Sequence, residues 1–391
     1  MRVKPRVLMV TGAYFPELSG GGLQARAVVK ALRNDAEFVV LTTSTDAALP
    51  AVATEEGISI QRVYVDTERP VSRWAAAFRI GVAFIELAPR FDIVNVHGFS
   101  RKAILLRLLS RMLGKRFVLT LQTAGHDEPA AAHARGAAAE WAYRNADLYL
   151  SVSPGLSRAY LDAGLPAARL RHVCNAVDVD RFAPALTEER VAIRAELGLQ
   201  PDVPLVLFVG YFSRDKRPDL LYRAWPRVAR QRPSAVVFIG ATRPTYQEVD
   251  VGLADEIRRR AVADDLADRL LFVEGTPTIE RYFRVSDIYV LTSIREGLSI
   301  ALLEAMSTGL ACVASRLPGS TDVVIDHGVN GLLVAPDDEE GFADAIARLL
   351  EDRVMAKRLG AAARRAAIER FSIRQTATAW LTAYQEVSEA R

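Results

Sequence analysis

Arg284-Val-Ser-Asp287-Ile-Tyr289-Val-Leu-Thr-Ser293 can be laid over Arg144-Asn-Ala-Asp147-Leu-Tyr149-Leu-Ser-Val-Ser153 at a constant offset of 140 residues. Each stretch ends a helix, passes through an aspartate into a continuous apolar run, and reaches a serine. An apolar run without alternation is the pattern of a strand buried on both faces of a parallel sheet. Two copies of one helix–Asp–strand unit in a single chain predict two similar α/β domains.

The rest of the chain repeats the pattern. Strand-like runs include 7–10, 38–42, 92–96 and 117–121 in the first half, and 205–209, 235–239, 288–291 and 311–314 in the second. Helical periodicity is expected over 24–33, 73–87, 101–113, 218–230, 301–307, 340–350 and 373–389, between those runs. Such alternation implies doubly wound sheets with right-handed crossovers. Asp178–Pro204, with Pro184, Pro201 and Pro204, separates the two sets of strands. The expected domain boundary therefore falls at 184/185. In doubly wound sheets ligands bind beyond the carboxyl ends of strands, so two such edges facing one another across a cleft are the expected site.

A length of 391 residues suits two cores better than one. The net charge of +3 is far from that of a dedicated nucleic-acid binder. Cys174 and Cys312 are the only cysteines, which excludes a disulfide framework and suggests a reducing, cytoplasmic setting. The basic start Met1–Arg6 runs into a short apolar stretch that reads as a first strand rather than a signal peptide. Charge is uneven: residues 1–184 hold 23 basic and 17 acidic side chains, and residues 185–391 hold 27 and 30. A positive first half favours anionic partners.

Three constellations carry chemistry. Gly20-Gly21-Gly22 follows the first strand and opens a helix, where backbone amides can approach a phosphate. It is not a GxGxxG fingerprint, and no acidic residue caps the second strand, which disfavours a nicotinamide-dependent oxidoreductase. Gly210-Tyr211-Phe212-Ser213-Arg214-Asp215-Lys216-Arg217 follows the first strand of the second domain. Lys216 is one of six lysines among 50 basic residues, and a compact ammonium suits a point contact on a leaving phosphate. In Ser293-Ile-Arg-Glu296-Gly297-Leu298-Ser299-Ile300, Gly297 permits a tight bend and Ser299 is a natural N-cap. Amides from Gly297 to Ile300 would point at phosphates, and Glu304 follows about a turn into the helix. A carboxylate among apolar neighbours needs hydrogen-bond donors, which a hydroxyl-bearing ligand supplies.

In this order the three elements resemble the retaining glycosyltransferases of the GT4 family, with the GT-B fold. Asp287–Ser293, Glu296-Gly-Leu, Leu303-Glu304-Ala-Met306, Gly328-Val-Asn-Gly331 and Cys174-Asn175-Ala-Val-Asp178 are all similar to family blocks. The resemblance implies two Rossmann-like domains, 1–184 and 185–372, and a terminal helix at 373–391, with Trp380, crossing back to the first. It implies that Glu296 contacts the donor sugar, that Glu304 binds the nucleotide ribose, and that Lys216 and Gly20–Gly22 bind the donor diphosphate. A nucleotide sugar is then the co-substrate and no metal cofactor is expected. Two positions depart from the family pattern. Tyr211 stands where an arginine is usual, and Arg214 is the candidate substitute. Gln122 stands where many members carry histidine, and His126, four residues on, is the candidate for the acceptor side, though it also suits a turn cap.

The acceptor is expected to be a hydroxyl on a glycan, a lipid-linked sugar or a small molecule. Arg101–Arg116 is a basic and strongly apolar segment. As a crossover helix it would bury Ile104, Leu105, Leu108 and Met112 on the sheet; alternatively it would attach the chain to an anionic membrane. Two other functions use the same motifs: a sugar phosphorylase-like enzyme and a catalytically silent nucleotide-sugar-binding module.

Overall fold

Uninterrupted apolar strands are stable only when helices cover both faces of their sheet, and the chain builds two such layered units. The computed structural model describes residues 4–242 and 249–389. One unit comprises the chain up to Ala176 together with Ile373 onward, and the other comprises Val177–Ser372.

The first unit contains β1 (Arg6–Thr11), α1 (Gly20–Leu32), β2 (Glu37–Ser44), β3 (Val52–Glu55), β4 (Ile58–Tyr64), α2 (Pro70–Leu87) and β5 (Ile93–His97). It continues through α3 (Arg101–Met112), β6 (Arg116–Leu121), α4 (Pro129–Ala134), α5 (Ala137–Arg144), β7 (Leu148–Ser151), α6 (Pro154–Asp162) and β8 (Leu170–His172). Its sheet runs β3-β4-β2-β1-β5-β6-β7-β8, parallel apart from the antiparallel β3 on β4. The second unit contains α7 (Thr187–Glu196), β9 (Leu205–Val209), α8 (Pro218–Gln231), β10 (Ala235–Ile239), α9 (Val251–Ala263) and β11 (Leu270–Val273). After these come α10 (Glu280–Val285), β12 (Ile288–Leu291), α11 (Ile300–Ser307), β13 (Ala311–Ser315), β14 (Leu332–Val334), α12 (Glu339–Glu351) and α13 (Arg353–Phe371). Its sheet runs β11-β10-β9-β12-β13-β14.

The terminal helix α14 (Ile373–Glu389) belongs to the first unit. Its Trp380 is fully buried and stacks on His97 at a centroid distance of 5.4 Å, while Asn95 donates to the Tyr384 hydroxyl at 2.7 Å. Val177–Pro184 groups with the second unit, so the division falls before the expected position at 184. The cause is local packing. Phe182 meets Phe283 edge-on at 5.6 Å, its carbonyl accepts from the Ser307 hydroxyl at 2.9 Å, and Arg181 pairs with Glu280 at 2.7 Å.

Helix α3 differs from expectation. Its buried positions are Ala103, Leu106 and Ser110, while Leu108 and Met112 are exposed. Gly81 of α2 lies against Leu105 and Leu109, so the apolar side of α3 is divided between the sheet and α2. Leu108 and Met112 lie outside both contacts.

The repeated aspartate has one structural role in both units. Asp147 Oδ2 accepts from the amide of Phe117 at 2.8 Å, and its own amide donates to the Phe117 carbonyl at 2.8 Å. Asp287 makes the same pair of bonds with Leu205, at 2.8 and 2.9 Å. Each therefore closes the start of the adjacent strand. Asp287 also neutralises Arg194, at 3.1 Å, whose buried guanidinium donates to the carbonyls of Val203 and Val285. Removing that carboxylate leaves a buried charge uncompensated. Asp287→Ala should cost about 3 kcal/mol and Asp147→Ala about 1 kcal/mol in urea unfolding, because Arg116 beside Asp147 is more solvated. Equal losses would contradict this ranking.

Candidate active site

Strand order reverses between β9 and β12 in the second sheet, which are neighbours although the chain leaves β9 for β10. The loops following them, 210–217 and 292–299, therefore leave the sheet side by side at a topological switch point. The buried Thr292 hydroxyl lies 2.9 Å from the Lys216 carbonyl and 2.7 Å from that of Arg217, donating between them. Ile294 donates its amide to the Asp215 carbonyl at 2.9 Å, and Arg295 pairs with the Asp215 carboxylate. Arg217 adopts a left-handed backbone, φ 52°, immediately before Pro218 starts α8.

This stitching brings Lys216 to Glu296. The Lys216 ammonium donates to Glu296 Oε1 at 2.5 Å, and the Ser293 hydroxyl donates to the same oxygen at 2.7 Å. Glu296 is buried, and the cation and hydroxyl together compensate its lost hydration. The neighbouring arginines point elsewhere. Arg217 pairs with Asp219 and Asp337, and Arg214, 88% exposed, faces Asp250 at 3.3 Å. Gly297, Leu298 and Ser299 are buried, and Ser299 caps α11 by accepting from the Leu302 amide at 3.3 Å. Ile300 is the first residue of that helix.

Glu304 lies one turn into α11, and no side-chain hydrogen bond or ion pair reaches it among the described residues. Burial pushes its carboxyl up to about 8, with Arg181 opposing the shift and Glu280 adding to it. Burial raises the Tyr289 hydroxyl well above the usual tyrosine range, with Glu296, Cys312 and Glu304 reinforcing the shift and Ser299 opposing it. Sequence reasoning assigned Ser293 and Tyr289 no part in a site. Their position in the repeated strand motif was the available signal.

In the first unit the order reverses between β1 and β5. Helix α1 starts earlier than the apolar periodicity suggests: Ser19 is its N-cap, accepting from Gly22 at 3.1 Å, so all three glycines lie in its first turn. A Cβ on Gly22 would sit 2.1 Å from the Ala13 carbonyl, whereas one on Gly21 meets nothing within 4 Å. Lys102 of α3 donates to the Thr11 carbonyl, and burial lowers its ammonium to about 8. Burial, aided by Lys102, lowers His97 to about 3, keeping the imidazole neutral. Its Nδ1 lies 3.3 Å from Gln122 Nε2.

His126 occupies a turn, its amide donating to the Thr123 carbonyl at 3.2 Å. Asp127 holds that turn. Its carboxylate accepts from the amides of Phe99, Gln122 and Thr123 at 2.6, 2.8 and 2.9 Å. Sequence reasoning passed over Asp127, because three backbone donors from two loops have no signature along the chain. Among the described residues no group of three His, Cys, Asp or Glu side chains could hold a metal ion.

Two α/β units with loops of this kind at their switch points define a class, and comparison with known families agrees. Residues 189–366 match the family described as glycosyl transferases group 1, and residues 19–176 match the glycosyl transferase 4-like domain. The chain belongs to the GT4-type glycosyltransferases of the GT-B fold, a class of transferases. It is 32% identical over 226 residues to a D-inositol 3-phosphate glycosyltransferase of Saccharomonospora viridis, covering 56% of this chain and 51% of that relative. Against that relative the chain therefore spans about half the length. A sucrose-phosphate synthase of Thermosynechococcus elongatus superimposes over 100% of both chains, with a TM-score of 0.83 and 21% identity. Anabaena HepE in complex with UDP and glucose superimposes over 98% of both, with a TM-score of 0.77 and 18% identity.

The two glycines make separable predictions. Gly22→Ala forces a Cβ against a backbone carbonyl and should destabilise the first unit by about 1–3 kcal/mol. Gly21→Ala should stay within about 0.5 kcal/mol of the parent. Urea unfolding of both variants checks the contrast.

Glu304 predicts a pH effect. The folded chain retains this proton up to about 8, against 4.5 for the free group. Between those values the folded state binds more protons, so stability falls as pH rises. Glu304→Gln, which does not titrate, should melt progressively higher than the parent as pH is raised from about 5 to 8. Parallel melting curves across that range would show that the carboxyl is ionised in the free protein.

Proposed function

We propose that the protein transfers a sugar from a UDP- or GDP-sugar to a hydroxyl acceptor, with retention at the anomeric carbon and without a metal ion. The observation that carries this reading is the contact between the Lys216 ammonium and the Glu296 carboxylate, beside the amino terminus of α11. On donor binding the two charges exchange partners. Lys216 moves to the diphosphate, where negative charge builds as the leaving group departs, and Glu296 accepts hydroxyls of the donor sugar. The amides from Gly297 to Ile300 and the first turn of α1, at Gly20, Gly21 and Gly22, meet phosphate oxygens. Arg214, solvated and tied only at 3.3 Å, supplies the guanidinium that Tyr211 lacks. Glu304 takes the ribose hydroxyls, which offer the donors its carboxyl lacks in the free chain.

In this proposal the second unit holds the donor, and the first unit, completed by α14, serves the acceptor with His126 as its catalytic side chain. Among the described residues no side chain stands out as a covalent nucleophile, and the route the family implies is attack by the acceptor hydroxyl on the face the diphosphate leaves. The UDP and glucose carried by the Anabaena homologue of this fold support a uridine donor. The inositol phosphate named for the Saccharomonospora relative supports a hydroxyl acceptor; lipid-linked and envelope or exopolysaccharide glycans carry the same group. The implied setting is cytoplasmic, peripheral to the inner face of a membrane.

Lys216→Ala and Glu296→Ala should each lower turnover by more than about tenfold while leaving circular dichroism unchanged. A thermal-shift panel of UDP, GDP, ADP and their sugars should show one nucleotide stabilising the parent by mass action. Near-parent turnover in both variants would overturn the site.

A further inference from the structure

Helix α2 carries an apolar stripe that the fold leaves uncovered. Its inner side, Ala76, Ile80, Ala83, Phe84 and Leu87, is buried. Val71, Trp74, Phe78, Val82 and Ile85, spaced three or four residues apart, share the opposite side. Val71 and Trp74 are each 80% exposed and Phe78 is 74% exposed. Large apolar side chains gain from leaving water, so a row of them left exposed marks a surface with a partner. Where α3 packs Leu105 and Leu109 beside Gly81, its exposed Leu108 and Met112 widen the apolar surface.

Charge identifies the partner. Arg73 and Arg79 of α2 and Arg101 and Arg111 of α3 are exposed, and their guanidinium groups make no hydrogen bond or ion pair among the described residues. Elsewhere the exposed arginines are commonly paired, as Arg227 is with Asp344 at 2.7 Å and Arg232 with Glu351 at 2.9 Å. Within α2 and α3 the one acidic residue is Glu86, at the far end of α2; Asp66, ahead of α2, pairs with Arg69. A second copy docked through the same face would set these arginines against one another. An anionic bilayer satisfies both features, with Trp and Phe at the headgroup–acyl boundary and guanidinium groups among the phosphates. No helix of the described residues is long and apolar enough to cross a membrane, so the contact lies along its surface.

We propose that the outer face of α2, with the adjoining edge of α3, is a docking surface for an anionic lipid bilayer, entered by Trp74 and Phe78. The proposal does not depend on the donor chemistry, and its test is read separately from nucleotide binding. Flotation is measured with vesicles of phosphatidylcholine alone and of phosphatidylcholine with equal phosphatidylglycerol, at low and high salt. The parent should float with the anionic vesicles at low salt, be released at high salt, and ignore the neutral ones. Trp74→Glu/Phe78→Glu and Arg73→Glu/Arg79→Glu change exposed side chains, so their melting temperatures and nucleotide-induced shifts should match the parent. Their bound fractions should fall at least roughly tenfold. Absence of salt-sensitive binding by the parent, or parent-level binding by both variants, would overturn the proposal. So would a dimer in light scattering that the Trp74→Glu/Phe78→Glu change abolishes.

Discussion

Strands buried on both faces leave little room for polar chemistry within either sheet. Each parallel strand must hand its chain to a crossover segment, and water returns only where the strands end. Hence the polar groups of interest gather at carboxyl ends: in loops 210–217 and 292–299 after β9 and β12, and at Thr11 and His97, the last residues of β1 and β5, with Gln122 directly after β6. The switch points, β9 beside β12 and β1 beside β5, are where two such loops leave the sheet as neighbours.

Within those loops the controlling problem is the stability of buried charge. Glu296 is tolerated because Lys216 and Ser293 share one of its oxygens, and Lys216 is in place because Thr292 ties down the carbonyl of the same residue. Asp127 solves the equivalent problem without a cation, through three backbone amides. Its carboxyl is nonetheless raised by burial, which those amides oppose. Glu304 has neither solution in the free chain, and its raised carboxyl expresses a demand for donors that a ligand can meet.

The regular elements were legible because burial on both faces writes itself into composition. The expected runs at 205–209 and 288–291 coincide with β9 and β12, and the offset between Asp147 and Asp287 reflects one shared strand clamp. The serines ending that repeat show where likeness stops: Ser153 caps α6, while Ser293 donates to Glu296. Lys216 and Glu296 could be singled out as candidates, but their 2.5 Å contact joins residues eighty positions apart and depends on two loops being adjacent. Asp127 was missed for the same reason.

Local pattern alone therefore determined many of the strands and helices, though not β3, α6, α9 or α13, and with them the presence of two like units and the loops that hold the charged residues. These follow from apolar periodicity and turn chemistry, which act over a few neighbours. Tertiary structure decided which side of each apolar helix is covered. Helix α2 is apolar on opposite sides, and α3 has more apolar positions than the sheet can bury. Only packing shows that Ile80 and Phe84 face inward while Trp74 and Phe78 face water, and that Leu105 and Leu109 turn to Gly81 and leave Met112 outside. Hydrophobic burial has no direction of its own, so the choice belongs to the shape of the neighbouring surface.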